Sequence, residues 1–242
     1  MLQCVILAGG IGSRMRPATE EMPKALLPVL DRPFADWQLR LLAEQGVERV
    51  LYSIGHKGQM LREHVGDGGR WGLAVSYVDE GSELRGTAGA LRLAHEEGAL
   101  EDEFFVLYGD SYLPVDMAEV QGAWERTDLA ALMTVFRNEG RWDQSNAIYA
   151  DGRVPLYDKD RPADRVDEMH WIDYGLSILQ RELVAERVPA QGVSDLAVLM
   201  RELSREGQLA GFEVTERFYE GGSREGLADL ERYLSAGGSG SG

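Results

Sequence analysis

Three kinds of residue in this chain are spaced for work on phosphate groups. An apolar run from Cys4 to Ala8 opens into Gly9-Gly10-Ile11-Gly12-Ser13-Arg14. Glycines let a backbone come close to a phosphate, and exposed N–H groups there can cradle it. Arg14 adds a planar guanidinium, and Lys24, just after Pro23, adds a compact ammonium. Together they supply the positive charge that a polyphosphate requires. Asp110 closes a second apolar run, Glu103 to Tyr108. In an open parallel sheet, ligands collect beyond the carboxyl ends of the strands. A carboxylate there, opposite a glycine loop, is suited to hold Mg2+ on a triphosphate. Alone, Asp110 reads equally well as a turn residue; the glycine loop favours the metal.

Two other glycine-loop chemistries fit poorly. A dinucleotide fingerprint needs G-x-G-x-x-G, and the third glycine position holds Met15. A P-loop needs Gly-Lys-Ser/Thr, and that triplet does not occur in the chain. The cations themselves are uneven, with only three lysines, Lys24, Lys57 and Lys159, among 25 basic residues. In a chain that otherwise uses arginine, a lysine marks a place for a compact, flexible cation.

Composition removes several function classes. A net charge of −16 without a basic stretch argues against a duplex-binding surface. No apolar run approaches the roughly 20 residues that cross a bilayer. The start of the chain lacks a charged region followed by an apolar core, which predicts no signal peptide and a cytoplasmic location. The single Cys4 allows no internal disulfide and reads as a small buried hydrophobe. His56, His64, His95 and His170 show no zinc-ligand spacing.

The elements that must position these residues alternate through the first half. Strands are expected at 3–8, 47–54, 73–78, 103–108 and 129–136, with helices at 33–45, 58–65, 87–97 and 116–126. Thr87 is expected to cap the third helix, and Asp116 with Glu119 to form a capping box. Further on, Asp151-Gly152 predicts a hairpin turn between strands in 146–157. A strand at 170–179, a helix from Ser194 to 205, a strand at 208–214 and a helix at 224–234 complete the pattern. This rhythm predicts an α/β fold with a mostly parallel sheet. The glycine-serine tail, 237–242, resembles a linker or tag and is set aside from the fold.

The stretch LAGGIGSRMRPATEEMPKALLPV resembles the signature of sugar-1-phosphate nucleotidyltransferases, G-G-x-G-[ST]-R-[LM]-x-P-x-T followed by P-K-[AP]-[LM]. Further matches follow in order: ELRGTAGAL, FFVLYGDSY, LYDK, IDYGLSIL and RFYEGGSREGLADLERYL. The likeness extends over nearly the whole chain. It is closest to short members, such as those similar to heptose-1-phosphate guanylyltransferases and N-acetylmuramate-1-phosphate uridylyltransferases. It implies a Rossmann-like three-layer sandwich with a mixed, mostly parallel central sheet, of the nucleotide-diphospho-sugar transferase type. It also implies one domain over 1–236, with a nucleotide half (1–136) and a sugar-phosphate half (137–236).

The resemblance implies roles residue by residue. Leu7, Ala8, Gly9, Gly10, Gly12, Ser13, Arg14, Glu80, Gly86, Thr87 and Asp110 would bind the nucleoside triphosphate, with Gly86 and Thr87 against its base and ribose. Arg14, Lys24 and Asp110 would be catalytic, Lys24 lying between the α-phosphate and the sugar phosphate. Lys159, with Asp158 before it, would hold the sugar phosphate, and Asn146, Tyr174 and Gly175 would border the sugar. Asp110 and Glu220 would bind Mg2+. The chain departs from the pattern at Glu220-Gly221, where the family commonly has Asp and an apolar residue, and at Asp158, where it has Glu.

The expected reaction joins a nucleoside triphosphate and a sugar 1-phosphate into an NDP-sugar and pyrophosphate, with GTP and a heptose or hexose 1-phosphate as the leading pair. UTP or CTP, a non-sugar phosphate or phosphonate acceptor, and a non-catalytic nucleotide-sugar sensor are the alternatives. No nucleic-acid or membrane partner is expected, and monomer and homodimer both remain open.

Overall fold

The computed structural model describes residues 1–12 and 15–237. In chain order the elements are β1 (Gln3–Leu7), β2 (Pro28–Val29), β3 (Arg32–Pro33), α1 (Phe34–Glu44), β4 (Arg49–Ile54), α2 (Gly58–Val65) and β5 (Ala74–Asp79). There follow α3 (Gly86–Glu96), β6 (Glu103–Tyr108), β7 (Ser111–Tyr112), α4 (Met117–Trp124), β8 (Ala131–Arg137), β9 (Ala147–Ala150) and β10 (Arg153–Tyr157). The last are β11 (Trp171–Gln180), α5 (Arg181–Arg187), α6 (Leu196–Arg205), β12 (Leu209–Val214), β13 (Tyr219–Glu220) and α7 (Arg224–Ser235). By contact the chain falls into two interleaved units. The first takes residues 1–84, 107–114 and 218–242; the second takes 85–106 and 115–217.

In the first unit β1, β4 and β5 pair in parallel, Cys4 with Val50 and Val50 with Val75. All five residues of β1 are buried, the continuous apolar pattern of a strand covered on both faces. Helix α1 follows Pro33, whose fixed φ suits a helix start, and it buries Phe34, Leu39 and Leu42. Short β7 and β13 pair antiparallel, Tyr219 opposite Tyr112 and Glu220 opposite Ser111. Two residues cannot hold a ladder alone. The pairing rests on a core cluster of Val29, Phe34, Leu41, Tyr112, Tyr219 and Leu230. There the Tyr219 and Tyr233 rings stack at 4.4 Å. Gly221 lies directly on the Phe34 ring, where a Cβ would come within 2.9 Å of Cδ2.

The second unit carries a mixed sheet ordered β6-β11-β8-β12-β10-β9. β8 pairs antiparallel with β11 and parallel with β12. Asp151 and Gly152, at φ 49° and 74°, make the β9–β10 turn, the left-handed pair that a tight hairpin demands.

Three local expectations are corrected. Thr87 does not cap α3: the N-cap is Arg85, and the Thr87 hydroxyl donates to Asp195 Oδ1 at 2.9 Å and accepts from Leu196 N at 2.8 Å. Helix α6 begins at Leu196 rather than at Ser194, and Asp195 caps it, accepting from Ala197 N at 2.9 Å. Helix α5 is additional; it buries only Leu183 and Val184, too few positions to show a period. The Asp116 cap forms as expected, accepting from Ala118 N and Glu119 N.

Candidate active site

The first unit gathers the cation and the carboxylates. Lys24 begins a short 3-10 turn after Pro23, and its carbonyl accepts from Leu27 N at 3.0 Å. Its Nζ donates to Asp110 Oδ2 at 2.6 Å, with the two side chains 20% and 26% exposed. Asp110 follows Gly109, whose N–H donates to Leu7 O at 2.9 Å, so the carboxylate leaves the chain beside the end of β1. Buried Gln38 on α1 braces the same segment, donating through Nε2 to Tyr108 O at 2.9 Å and Ser111 O at 2.8 Å. Gly221 N donates to Asp110 O at 2.6 Å, which closes the turn after β13 over it.

Glu220 curls back onto that turn. Its Oε2 accepts from Gly222 N at 2.6 Å and its Oε1 from the Ser223 hydroxyl at 2.5 Å. Ser223 in turn caps α7, accepting from Gly226 N at 3.0 Å. A carboxylate at a helix N-terminus is favoured by the helix dipole. Gly222 is the meeting point: a Cβ there would lie 3.0 Å from Asp110 Oδ2 and 3.4 Å from Lys24 Nζ, and would overlap Glu220 Oε2. Among the described residues no group of three or more His, Cys, Asp and Glu could hold a metal. Two carboxylate side chains and one ammonium therefore define this place.

The glycine loop completes the first unit's group. Gly9 O accepts from His56 N at 3.3 Å, and the Glu80 carboxylate lies against Gly9, in space that a side chain at 9 would fill. Ala8 N donates to Ser53 O at 2.8 Å. Gly12, at φ 67°, accepts through its carbonyl from Thr19 Oγ1 at 2.9 Å. Ser13 and Arg14 lie outside the described residues.

Residues 3–141, which carry the loop, Lys24 and Asp110, match the family model described as nucleotidyl transferase. This chain belongs to the nucleotidyl transferase family. It is similar to the UTP–glucose-1-phosphate uridylyltransferase of Synechocystis sp., 30% identical over 207 residues, which are 81% of this chain and 53% of that protein. It is also similar to the D-glycero-alpha-D-manno-heptose 1-phosphate guanylyltransferase of Campylobacter jejuni, 28% identical over 120 residues, 50% of this chain and 52% of that protein. The chain thus spans about half the length of these curated relatives. Among solved structures, HddC from Yersinia pseudotuberculosis complexed with GMP-PN superposes with a TM-score of 0.79 at 22% identity, covering 97% of this chain and 100% of that one. That likeness establishes the nucleotidyl transferase fold.

The other expected site residues lie in the second unit. Asn146 is a junction: its carbonyl accepts from Asp158 N at 2.9 Å, and its Oδ1 accepts from Asp173 N at 3.0 Å. Gly175 sits at φ 103° where the β11 register shifts, and its N–H donates to Asp173 Oδ1 at 3.0 Å. Tyr174 packs inward, 2% exposed, with its ring against Phe136. Asp158 is buried and accepts from Arg205 at 2.8 Å, with Arg201 3.6 Å away, so its carboxylate ties β10 to α6. Gly86, at φ 74°, packs on the carbonyl of Ser194, which also accepts from Ala88 N and Gly89 N.

Asp173 escaped the sequence reading, although it directly precedes Tyr174-Gly175. Burial holds its carboxyl above the usual range, against the opposing pull of Lys159, the Gly175 N–H and Tyr157. Burial also pushes Asp195 upward, but hydrogen bonds from Ala197 N and Thr87, helped by the charge of Lys159, bring it below its ordinary value. Gln38 escaped too; a glutamine on the buried face of α1 was its one signal.

Proposed function

We propose that this chain is a Mg2+-dependent nucleotidyltransferase that joins a nucleoside triphosphate and a sugar 1-phosphate into an NDP-sugar and pyrophosphate. The observation that carries the proposal is the Lys24–Asp110 pair at 2.6 Å, set beside the turned-in Glu220 and the end of β1. An oxygen of the acceptor phosphate attacks the α-phosphorus. A new P–O bond forms, the bond to the β-phosphate oxygen breaks, and pyrophosphate leaves with that electron pair. Two anions must approach, so charge neutralisation and positioning are the main requirements. A sugar phosphate is already ionised near neutral pH, and no general base is required.

Lys24 is placed to exchange Asp110 for phosphate oxygens, holding an ammonium where the negative charges meet. Gly10, beside which no atom lies within 4 Å of a Cβ position, leaves backbone room for the triphosphate. The oxygen donors of Asp110 and Glu220 suit a hard divalent cation that completes its shell with phosphate and water, which is how Mg2+ is commonly held. When bound it supplies positive charge to the triphosphate. GTP is the leading nucleotide, supported by the name of the Campylobacter relative, with UTP next, supported by that of the Synechocystis relative.

The test is a matrix of four nucleoside triphosphates against several sugar 1-phosphates, read by pyrophosphate release with and without Mg2+. Divalent-dependent release with one pair dominant is expected. No release with any pair would refute the proposal.

A further inference from the structure

The geometry points to Lys57 as a positioning residue that clasps the glycine loop; its kinetic consequence rests on the proposed function. The turn between β4 and α2 grips that loop at both ends. His56 N donates to Gly9 O at 3.3 Å. The Lys57 ammonium donates to Thr19 O at 3.1 Å and, by a very short contact, to Glu20 O. Adjacent residues of one turn therefore close a loop of about a dozen residues, and closing it lowers the entropy that a ligand would otherwise have to remove.

Two further observations give the clasp a direction. Thr19 is buried, and its hydroxyl donates to Gly12 O, so a shift of the Thr19 backbone is passed to Gly12. A Cβ on Gly12 would sit 3.6 Å from Lys24 Cε, which places Gly12 against the stem of the catalytic lysine. Hydrogen bonds join Lys57 to Thr19 and Thr19 to Gly12 within one unit, and the Lys24 stem lies beside the end of that path. Lys57 also occupies the left-handed region, at φ 57° and ψ 23°. That conformation is costly for a side-chain-bearing residue and persists where its surroundings hold it. A glycine would relieve it at once, but only a long cation reaches two carbonyls.

The test uses Lys57→Met, Lys57→Gly and Lys57→Arg in the full chain. Lys57→Gly removes the amine while easing the backbone, so loss of the clasp is not confused with loss of the fold. Hydrogen exchange is read first, in ligand-free protein, at the amides of Met15 and Glu20, which donate to Gly12 O and Pro17 O. Both deletions are expected to speed exchange there by about tenfold, the scale of one net hydrogen bond, with α2 and β4 unchanged. In the kinetic arm, KM for the nucleoside triphosphate rises by about tenfold while KM for the acceptor holds, and Lys57→Arg recovers most of the loss. Unchanged exchange at both amides in Lys57→Met and Lys57→Gly would overturn the clasp. Faster exchange with an equal rise in both KM values would overturn its bias toward the nucleotide. Wild-type protein without turnover would refute the proposed function, while the exchange arm still decides the clasp.

Discussion

Replacing Lys24 with methionine separates what the Lys24–Asp110 pair does for the fold from what it does for the reaction. The pair is short, at 2.6 Å, yet both side chains remain in part open to water. Screening by water limits such a pair to about 1 kcal/mol of net stability. Lys24→Met also leaves Asp110 near the Glu220 carboxylate without its cation, which adds a cost of roughly the same size. A loss of about 1–2 kcal/mol lowers the melting temperature of a chain of this length by about 2–8 °C. The kinetic cost is larger. Removing one preorganised charge donor from a site of developing negative charge costs about 10²–10³-fold in turnover, or about 3–4 kcal/mol. The assay is pyrophosphate release beside a thermal melt. The double variant Lys24→Met with Asp110→Asn decides how the lysine acts. If Lys24 touches the transferring phosphate, the double variant is far slower than Asp110→Asn alone. If it only holds Asp110, the two are equally slow. A loss in Lys24→Met below roughly threefold would refute the reasoning, because a bare stability effect of this size need not reach turnover at all.

Gln38→Leu removes both braces on the segment carrying Asp110 and should lower stability by about 2 kcal/mol, with turnover falling further than the melt explains. Unchanged kinetics in a folded variant would count against the bracing role. Gly222→Ala forces a methyl among Glu220, Asp110 and Lys24, and its turnover should drop at least tenfold while helix content by circular dichroism holds. Asn138 is buried and binds Trp142 N, Asp143 O and Ser145 Oγ. Asn138→Ala should therefore cost about 3 kcal/mol in a urea titration. Burial pushes the Cys4 thiol up to about 12 from 9.0. A raised thiol pKa leaves stability intact below pH 9.0 and lowers it as the unfolded chain alone sheds the proton between 9.0 and about 12. At pH 8 a thiol reagent should leave native protein unlabelled and label one group in denaturant; rapid native labelling would contradict the burial.

The sequence was readable where structure is local. Helix α2 lies where Gly58 and Val65 bound it, and the Asp151-Gly152 hairpin lies where its left-handed pair requires. The glycine loop after β1 and the Asp after β6 were visible because an apolar strand ending in small or acidic residues is itself a pattern. The joining of Lys24 to Asp110 was not, since 86 positions separate them and no periodicity spans that gap. Thr87 misled for the same reason: its cap-like position is local, but its partners Asp195 and Leu196 are distant in the chain. β7 and β13 stayed hidden because two residues carry no alternation, and tyrosine packing rather than strand propensity pairs them.

That pairing has a consequence for how the protein is made. Ser111 and Glu220 are roughly 110 residues apart, so at about 5–20 residues per second the ribosome needs some 5–20 s to deliver the second strand after the first. During that interval Asp110 and Ser111 have emerged without the turn that covers them, and Tyr112 lacks the ring that shields it. A nascent chain that stops short of Glu220 cannot hold both carboxylates together, so the site is finished only once the second strand has emerged.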